Sequence, residues 1–216
     1  MTIQLLDSQW IHRFYTRMRK KVILDKQIKQ CELCKGLNSA GTENCPGYGN
    51  VNSPIFFIGQ SLCSQCIETQ IPFTEKSGDI LDDIFLSIGK HKYDYFTSNL
   101  LHCHPPGNRP SKDNEIKNCL SFLFKEIKLV KPKLVIILGK QTMWDLSQTG
   151  KINFPSTSMK IIDCPKLSFS KYLTKITWVY HPAYFYRKGQ GNDFNVWKEF
   201  ITNSILKYDS SIPIHF

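Results

Sequence analysis

The sequence has no long apolar run. No stretch reaches the ~18 uninterrupted apolar residues that a membrane-spanning helix requires, and the first 21 residues mix charges with apolar side chains, which is unlike a secretory leader. Internal repeats and low-complexity tracts are also absent. These absences argue against a membrane protein, a secreted protein and a repeat protein, and they predict a soluble, cytoplasmic protein.

Acidic residues are also scarce relative to basic ones. The chain has 18 Asp and Glu against 28 Lys and Arg, which gives a net charge of +10. Such an excess favours a polyanionic partner, because binding to phosphates releases condensed counterions. Nucleic acid is therefore the first candidate partner, and a merely solvated basic surface is the alternative.

The length of 216 residues is sufficient for one domain with a sizeable core. We expect a single domain over residues 1–216. Residues 1–30 carry apolar side chains at roughly helical spacing among many basic ones, so they predict a basic amphipathic helix, with the core following from about residue 31.

Four short apolar segments predict the strands of a sheet. They are PIFFIG (54–59), DYFTSNLLHC (94–103), KLVIILG (133–139) and KITWVYHP (175–182). Segments with helical periodicity alternate with them, near 78–89, 114–130, 141–146 and 193–206. This alternation predicts an α/β fold, a three-layer α/β/α sandwich with a central, mostly parallel four-stranded sheet. Ligands of such sheets bind where the carboxyl ends of the strands open into loops.

Eight cysteines in a chain without a secretory leader favour metal binding or redox chemistry over a disulfide framework. The CELC pair, Cys31 and Cys34, would need two more thiols to complete a metal centre. Cys103 at a predicted strand end and Cys119 on the next predicted helix are suited to supply them. Four thiolates suit zinc or an iron–sulfur cluster, and the spacing alone does not separate these two. A redox pair and a chance pair remain open as alternatives.

The other four cysteines are Cys45, Cys63, Cys66 and Cys164. Cys63 and Cys66 form a second CxxC motif, so a second or mixed site is possible. The plain alternative is that all four are buried small residues.

The cysteine spacing and five motifs in order resemble the iron–sulfur uracil-DNA glycosylases, the fourth and fifth families of that superfamily. The motifs are FFIGQS, PFTEKSGDIL, TSNLLHCHPPGNRPSKDNEIKNC, PKLVIILGKQ and VYHPAYFYRKG, within a match from about Cys31 to Phe200. The resemblance implies a DNA glycosylase, a monomer that acts on a flipped base in single- or double-stranded DNA. It also implies a structural 4Fe–4S cluster, with zinc as the alternative, bound by Cys31, Cys34, Cys103 and Cys119.

The resemblance assigns roles to residues near the predicted strand ends. Phe73 would stack on the flipped base, and Asn99 would read the edge of the base. His181 would donate a hydrogen bond to the base as negative charge develops on it. Asp79 would orient the attacking water or stabilise the cationic sugar, and the alternative for Asp79 is simple helix capping.

The first motif departs from the family pattern. Fourth-family members carry GExPG, whose glutamate assists water attack, whereas this chain has Gly59, Gln60 and Ser61. Gln60 cannot act as a base, but we keep Gln60 as a catalytic candidate and Ser61 as a base-binding candidate. Glu75 stands where the family usually has glycine, and it could narrow or recharge the pocket.

Three basic residues are candidates for contacts with DNA phosphates. Arg187 and Lys188 lie in a predicted loop after His181, where neighbouring aromatic residues suit a wedge into the duplex. Arg109 lies in the PPGNRPSK segment. Each of these side chains could equally be solvated.

Uracil is the substrate that the resemblance implies by default. The alternative substrate is a bulky modified pyrimidine, such as glucosylated hydroxymethylcytosine in phage DNA. A catalytically silent DNA-binding iron–sulfur protein is the alternative from another functional class, and an iron–sulfur redox sensor is a third class. The sequence leaves the preferred base and the strand context open.

Overall fold

The computed structural model describes residues 8–149, 152–169 and 173–211. Six strands lie within them: β1 Tyr48–Gly49, β2 Ile55–Ser61, β3 Phe96–Leu101, β4 Leu134–Leu138, β5 Ile162–Asp163 and β6 Lys175–Val179. They form one sheet in the order β1-β3-β2-β4-β6-β5. Neighbouring strands among β3, β2, β4 and β6 are parallel, whereas β1 and β5 pair antiparallel at the two edges.

The predicted α/β class and mostly parallel sheet are confirmed, but the prediction of four strands is wrong. The sheet has six strands because a short strand is added at each edge. Each added strand has only two residues, which is too short for an alternating or continuous apolar pattern to mark it in the sequence.

Seven α-helices accompany the sheet in the described part of the chain. They are α1 Ser8–Lys29, α2 Ser64–Thr69, α3 Lys76–Ser87, α4 Asp113–Val130, α5 Lys140–Gln148, α6 Pro182–Lys188 and α7 Asn192–Tyr208. Helix α1 lies within residues 1–30, where the sequence predicts a helix, and residues 1–7 lie outside the described ranges. None of these described helices is both long enough and apolar enough to cross a bilayer.

The segment after His181 is a helix and not the predicted loop. Pro182 occupies the first helical position of α6, where the missing N–H of proline costs nothing and its fixed φ suits the helix. Arg187 and Lys188 therefore lie in the last turn of a short helix.

The sheet is covered on both faces, as predicted for a three-layer sandwich. Along β2, Phe57 packs into the core cluster formed with α3, α6 and α7, and Phe56 packs into the opposite cluster formed with α4 and α5. Helix α1 packs outside, against α4. All the side chains of β4 and those of β2 up to Gly59 are buried, which explains why these strands are continuous apolar runs in the sequence.

The connections leave the carboxyl edge of the sheet toward opposite faces. Helices α3 and α7, which follow β2 and β6, pack on one face of the sheet. Helices α4 and α5, which follow β3 and β4, pack on the other face. A change of direction between neighbouring strands opens a crevice at their carboxyl ends, which is where ligands bind in α/β sheets. Strand β2 is flanked by such changes, so the site is expected at the end of β2.

Candidate functional site

Gly59, near the end of β2, lies under two of the predicted base-binding side chains. It pairs in register with Asn99 of β3. A Cβ atom built on Gly59 would collide with Oδ1 of Asn99 and would lie 2.6 Å from Cζ of Phe73. Only glycine therefore lets the Asn99 amide and the Phe73 ring meet over the strand end.

Phe73 is held in an unusual backbone conformation. Its φ angle is +58°, in the left-handed region that bulky residues avoid. Its carbonyl oxygen accepts a hydrogen bond of 2.6 Å from Nζ of Lys92 and lies against Gly78, where any Cβ would clash. These contacts fix the ring, which is buried at 6% exposure.

His181 completes this group, which we call the Gly59 site: Gly59, Phe73, Asn99 and His181. The His181 ring centroid is 6.3 Å from that of Phe73, and the two rings are tilted by 33°. On the other side, a Cβ atom on Gly139 would lie 3.5 Å from Cβ of His181. The structure therefore brings together three side chains that the sequence placed on three different segments.

The protonation state of His181 follows from its hydrogen bonds. Its Nδ1 accepts the backbone N–H of Ala183 at 3.2 Å and so caps α6. Burial, with a smaller contribution from the positive charge of Arg187, lowers the pKa of His181 to about 4. The ring is therefore neutral at physiological pH, and because Nδ1 accepts, the ring proton resides on Nε2.

Gln60 is held by a partner that the sequence did not reveal. Its Nε2 donates a hydrogen bond of 2.6 Å to Oδ2 of Asp145 in α5, and Oδ1 of Asp145 accepts a second hydrogen bond from Gln141 at 2.8 Å. The Oε1 atom of Gln60 is buried and has no hydrogen-bond partner among the described residues. A helical Asp far away in the sequence gives no local signal of such a role, so sequence reasoning missed Asp145.

The other predicted residues of this edge are more exposed. Asp79 lies in the first turn of α3, immediately after Gly78, and its carboxylate has no hydrogen bond from the described residues. Glu75 is the residue before α3 and makes no side-chain cap. Ser61 ends β2 and is half-buried. None of these three side chains has a contact that the structure defines with Phe73, Asn99 or His181, so their roles stay predictions.

Helix α3 packs against α6, and this brings the N-terminal end of α3 near the basic residues of α6. The ammonium of Lys76 lies 4.6 Å from the ring centroid of Tyr186. Arg187 and Lys188 are exposed, and Lys188 donates a hydrogen bond to the hydroxyl of Tyr184 at 2.9 Å. The exposed cations of α6 are therefore available to a polyanion that reaches this edge.

Arg109 is engaged within the protein. Its guanidinium donates two hydrogen bonds, of 2.6 and 3.0 Å, to the carboxylate of Glu115. Glu115 also accepts the backbone N–H of Lys112 and so caps α4. This ion pair fixes the loop between β3 and α4, and a phosphate contact by Arg109 remains a prediction.

Four cysteines meet where the C-terminal end of α1 approaches β3 and α4. We call Cys31, Cys34, Cys103 and Cys119 the four-thiol group. Asn44 connects two of them: its Nδ2 donates to the Cys31 carbonyl at 2.7 Å, and its Oδ1 accepts from Sγ of Cys103 at 3.0 Å. The Nδ2 of Asn118 donates to Sγ of Cys34 at 3.3 Å. Sequence reasoning found the thiols but not these two asparagines.

The thiols of this group influence one another. A hydrogen bond from Cys103, supported by His102, lowers the pKa of Cys119 to about 5, against the effect of burial. Burial raises the pKa of Cys34, and the nearby Cys119 and Cys31 add to that effect. A hydrogen bond with Cys119 and burial raise the pKa of Cys103, and the nearby Cys34 and Cys31 add to that effect, so Cys103 and Cys34 each lie near the other thiols of the group.

The described residues include no three His, Cys, Asp or Glu side chains arranged to hold a single metal ion. As a donor set, four gathered thiols fit both zinc and an iron–sulfur cluster.

A buried network supports the two elements that carry Cys103 and Cys119. Glu126 of α4 accepts hydrogen bonds from the Ser98 hydroxyl at 2.6 Å and the Gly47 N–H at 2.7 Å, and its Oε2 lies 3.1 Å from Nε2 of His102. The network joins β3 to α4 behind the four-thiol group.

A nucleobase is a flat ring with hydrogen-bonding edges, and the Gly59 site offers it an aromatic side chain, an amide and a neutral imidazole. At the carboxyl edge of a parallel sheet in a basic chain, this combination suits a base-handling enzyme of the DNA glycosylase class. The chain belongs to the uracil DNA glycosylase superfamily, whose family model matches residues 46–203. The family resemblance of the motifs is thereby confirmed.

Several curated relatives cover most of the chain. It is 26% identical over 198 residues to the Type-4 uracil-DNA glycosylase of Thermotoga maritima, which spans 92% of this chain and 97% of that protein. It is 28% identical over 197 residues to the Type-4 uracil-DNA glycosylase of Saccharolobus solfataricus, with 87% and 89% covered. It is 26% identical over 161 residues to the Type-4 uracil-DNA glycosylase of Archaeoglobus fulgidus, a match that covers 73% of this chain and 79% of that protein.

Proposed function

We propose that the protein removes uracil from DNA by hydrolysing the N-glycosidic bond of a flipped nucleotide. The observation that carries this proposal is the meeting of Phe73 and Asn99 over Gly59, with His181 beside Phe73. Relatives that are named Type-4 uracil-DNA glycosylases support uracil as the base.

Phe73 and Asn99 would recognise the base. An aromatic ring held rigidly by its backbone contacts gives the flipped base a stacking surface. An amide has one donor and one acceptor group, which match the carbonyl and the N–H of the uracil edge. Asn99 is 3% exposed, so a base that reaches it is removed from water.

His181 would stabilise the departing base. Negative charge develops on the base as the glycosidic bond breaks, and a neutral imidazole can donate its Nε2–H to that charge. The low pKa of His181 keeps the ring neutral. The imidazole therefore donates a hydrogen bond to the base without transferring a proton to it.

Asp79 would assist the attacking water from the start of α3. Gln60 cannot replace it as a base, because an amide has no proton affinity in the useful range. Gln60, Ser61 and Glu75 would shape the pocket beside it. Arg187 and Lys188 would contact phosphates, in a monomer that acts on DNA in the cytoplasm.

The four-thiol group would hold a 4Fe–4S cluster. A bound cluster connects the chain segments that carry its ligands, and here it would hold the end of α1 against β3 and α4. The protein residues at the Gly59 site perform every step of the proposed reaction.

The test uses the full-length protein and a labelled duplex with one uracil, followed by alkali to cut abasic sites. We expect strand breaks at uracil only. We also expect Asp79→Asn to lower the single-turnover rate by about 10²–10⁴-fold. Asp83→Asn is the matched control, because Asp83 is exposed on the same helix one turn later.

Two further arms separate the alternatives. Breaks in glucosylated hydroxymethylcytosine DNA but not in the uracil duplex would replace uracil with a modified pyrimidine as the substrate. Tight, salt-sensitive DNA binding without any breaks would contradict the enzymatic proposal and favour a binding protein.

A further inference from the structure

A second group of cysteines, two from the segment between β2 and α3 and one from just before β1, has no part in the proposed reaction. Cys45, Cys63 and Cys66 pack with Leu62 and Ile67 in a small separate cluster. Cys45 and Cys66 are 1% and 3% exposed, whereas Cys63 is partly exposed. The cluster lies outside the two main cores and outside the four-thiol group.

Cys63 and Cys66 face each other across one helical turn. Cys63 is the residue that caps α2, and its Sγ accepts the backbone N–H of Cys66 at 3.3 Å. Side chains three residues apart in a turn have Cβ atoms about 5–6 Å apart, and a disulfide needs about 3.5–4.5 Å. A small tightening of the turn is therefore enough. Helix α2 has only six residues and ends at Thr69, so it can tighten without disturbing the sheet.

The pair is also chemically prepared for thiol exchange. A hydrogen bond from the Cys63 thiol, with help from the backbone of Thr74, lowers the pKa of Cys66 to about 6, against the effect of burial. The two sulfurs thus share one proton near neutral pH. Partly exposed Cys63 can meet a small disulfide in solution, and buried Cys66 can accept its proton.

We propose that Cys63 and Cys66 are a modification site that forms a reversible intramolecular disulfide with low-molecular-weight disulfides such as oxidised glutathione. Cys63 attacks one glutathione sulfur while its proton passes to Cys66, the glutathione S–S bond breaks, and one glutathione thiolate leaves. Cys66 then gives its proton to that thiolate and attacks the sulfur of Cys63, and the second glutathione leaves. Two protein thiols are oxidised, and one glutathione disulfide is reduced to two glutathione molecules.

The disulfide would alter the position of Phe73 at the Gly59 site. The backbone of Thr74 contributes to the lowered pKa of Cys66, and Thr74 directly follows the stacking residue Phe73. A disulfide sulfur is a weaker acceptor than a thiolate, so oxidation releases the chain next to Phe73. This consequence rests on the proposed function of Phe73 and predicts weaker binding of uracil-containing DNA in the oxidised protein.

The chemical test does not depend on enzymatic activity. Residues 36–76 contain no Lys or Arg before Lys76, so trypsin releases one peptide with Cys45, Cys63 and Cys66 and with none of the four-thiol group. The full chain is treated with oxidised glutathione in the absence of oxygen, and its free thiols are alkylated. The protein is then digested, and the mass of this peptide is measured by mass spectrometry. We expect one alkylated thiol after treatment and three after dithiothreitol.

Two variants assign the bond. Cys45→Ser should form the disulfide as the wild type does, whereas Cys63→Ser should not. Three alkylated thiols in the treated wild type, or an internal disulfide that persists in Cys63→Ser, would overturn the proposal.

The functional arm compares uracil excision by the reduced and oxidised forms. We expect KM to rise about fivefold on oxidation, the size expected for loss of one hydrogen bond, with no change in Cys63→Ser. A disulfide without any change in KM would refute the link to Phe73 but not the modification site. Absence of excision in both forms would refute the proposed function and leave the peptide result to decide the disulfide.

Discussion

Gln60 and Asp145, 85 residues apart in the sequence, are joined by a hydrogen bond of 2.6 Å from Nε2 to Oδ2. A carboxylate can only accept, so Asp145 decides which end of the Gln60 amide faces it. The glutamate that fourth-family members carry at this place would instead meet Asp145 as a second negative charge. The pair therefore gives a physical reason for the departure from GExPG in this chain.

We expect Gln60→Glu to destabilise the fold by about 1–3 kcal/mol at pH 8, because two close carboxylates cannot both stay ionised without cost. The pKa of one of them would rise in the folded state, so the loss should shrink as pH falls below that value. Urea unfolding at pH 8 and pH 5 measures this.

The double variant Gln60→Glu/Asp145→Asn should recover most of the stability, since it restores one carboxylate and one amide. Gln65→Glu, an exposed position on α2, should change little. Equal losses at pH 8 and pH 5 would contradict the repulsion between the two carboxylates.

Gly59→Ala should displace the Phe73 ring, because the added methyl would lie 2.6 Å from it. We expect a stability loss of about 1–3 kcal/mol from overpacking. Uracil excision should fall about 10–100-fold, the range that corresponds to one base–aromatic stack. Gly191→Ala is the control, because nothing lies within 4 Å of a Cβ atom there. Full activity in Gly59→Ala would show that the ring does not receive the base.

The depressed pKa of His181 predicts the direction of a pH effect on stability. The folded pKa is about 4, below the ordinary value of about 6.5, so between these values only the unfolded chain takes up the proton. The stability from neutral His181 is complete above pH ~6.5 and is lost as pH falls toward 4.

His181→Asn keeps a capping side chain but removes this titration. The unfolding free energies of wild type and variant should therefore differ by a constant amount above pH 6.5, and this difference should shrink as pH falls toward 4. Parallel curves would mean that His181 is not held neutral. Direct titration of the ring by NMR should place its pKa at about 4.

Loss of one thiol from the four-thiol group should release the metal. We expect purified wild type to be brown, with absorbance near ~400 nm and about four iron atoms per chain. Cys34→Ser and Cys119→Ser should lose most of the iron and the colour. Cys164→Ser, a buried cysteine in a different core cluster, should keep both. One zinc and no iron in the wild type would replace the cluster with a single-ion site.

The sequence predicted the central strands because each is an unbroken apolar run, as burial on both faces demands. It missed α6 because a proline directly after a strand-like apolar run indicates the end of a strand and the beginning of a loop. In fact Pro182 starts a helix that the His181 ring caps. Local patterns did not distinguish these two uses of proline.

The candidate site was predictable where a motif marks it and hidden where the contact is tertiary. Phe73, Asn99 and His181 came from motifs, and the structure places Phe73 and Asn99 over Gly59 and His181 beside Phe73. The bond between Gln60 and Asp145 joins two segments with no shared pattern, so only the folded chain reveals it. The ion pair of Arg109 with Glu115 is similar, since no sequence pattern shows that this loop residue pairs with the first turn of α4.

Because Gly59 pairs with Asn99, recognition of the base depends on the exact register of β3. Ser98 points to the acid of Glu126 on the opposite side of the sheet, and side chains alternate strictly along a strand. Deleting one residue upstream within β3 would send the amide into the buried network and offer a hydroxyl to the incoming base. Insertions in the surrounding loops leave this register unchanged, whereas insertion or deletion of one residue within β3 reverses which side chains face the site.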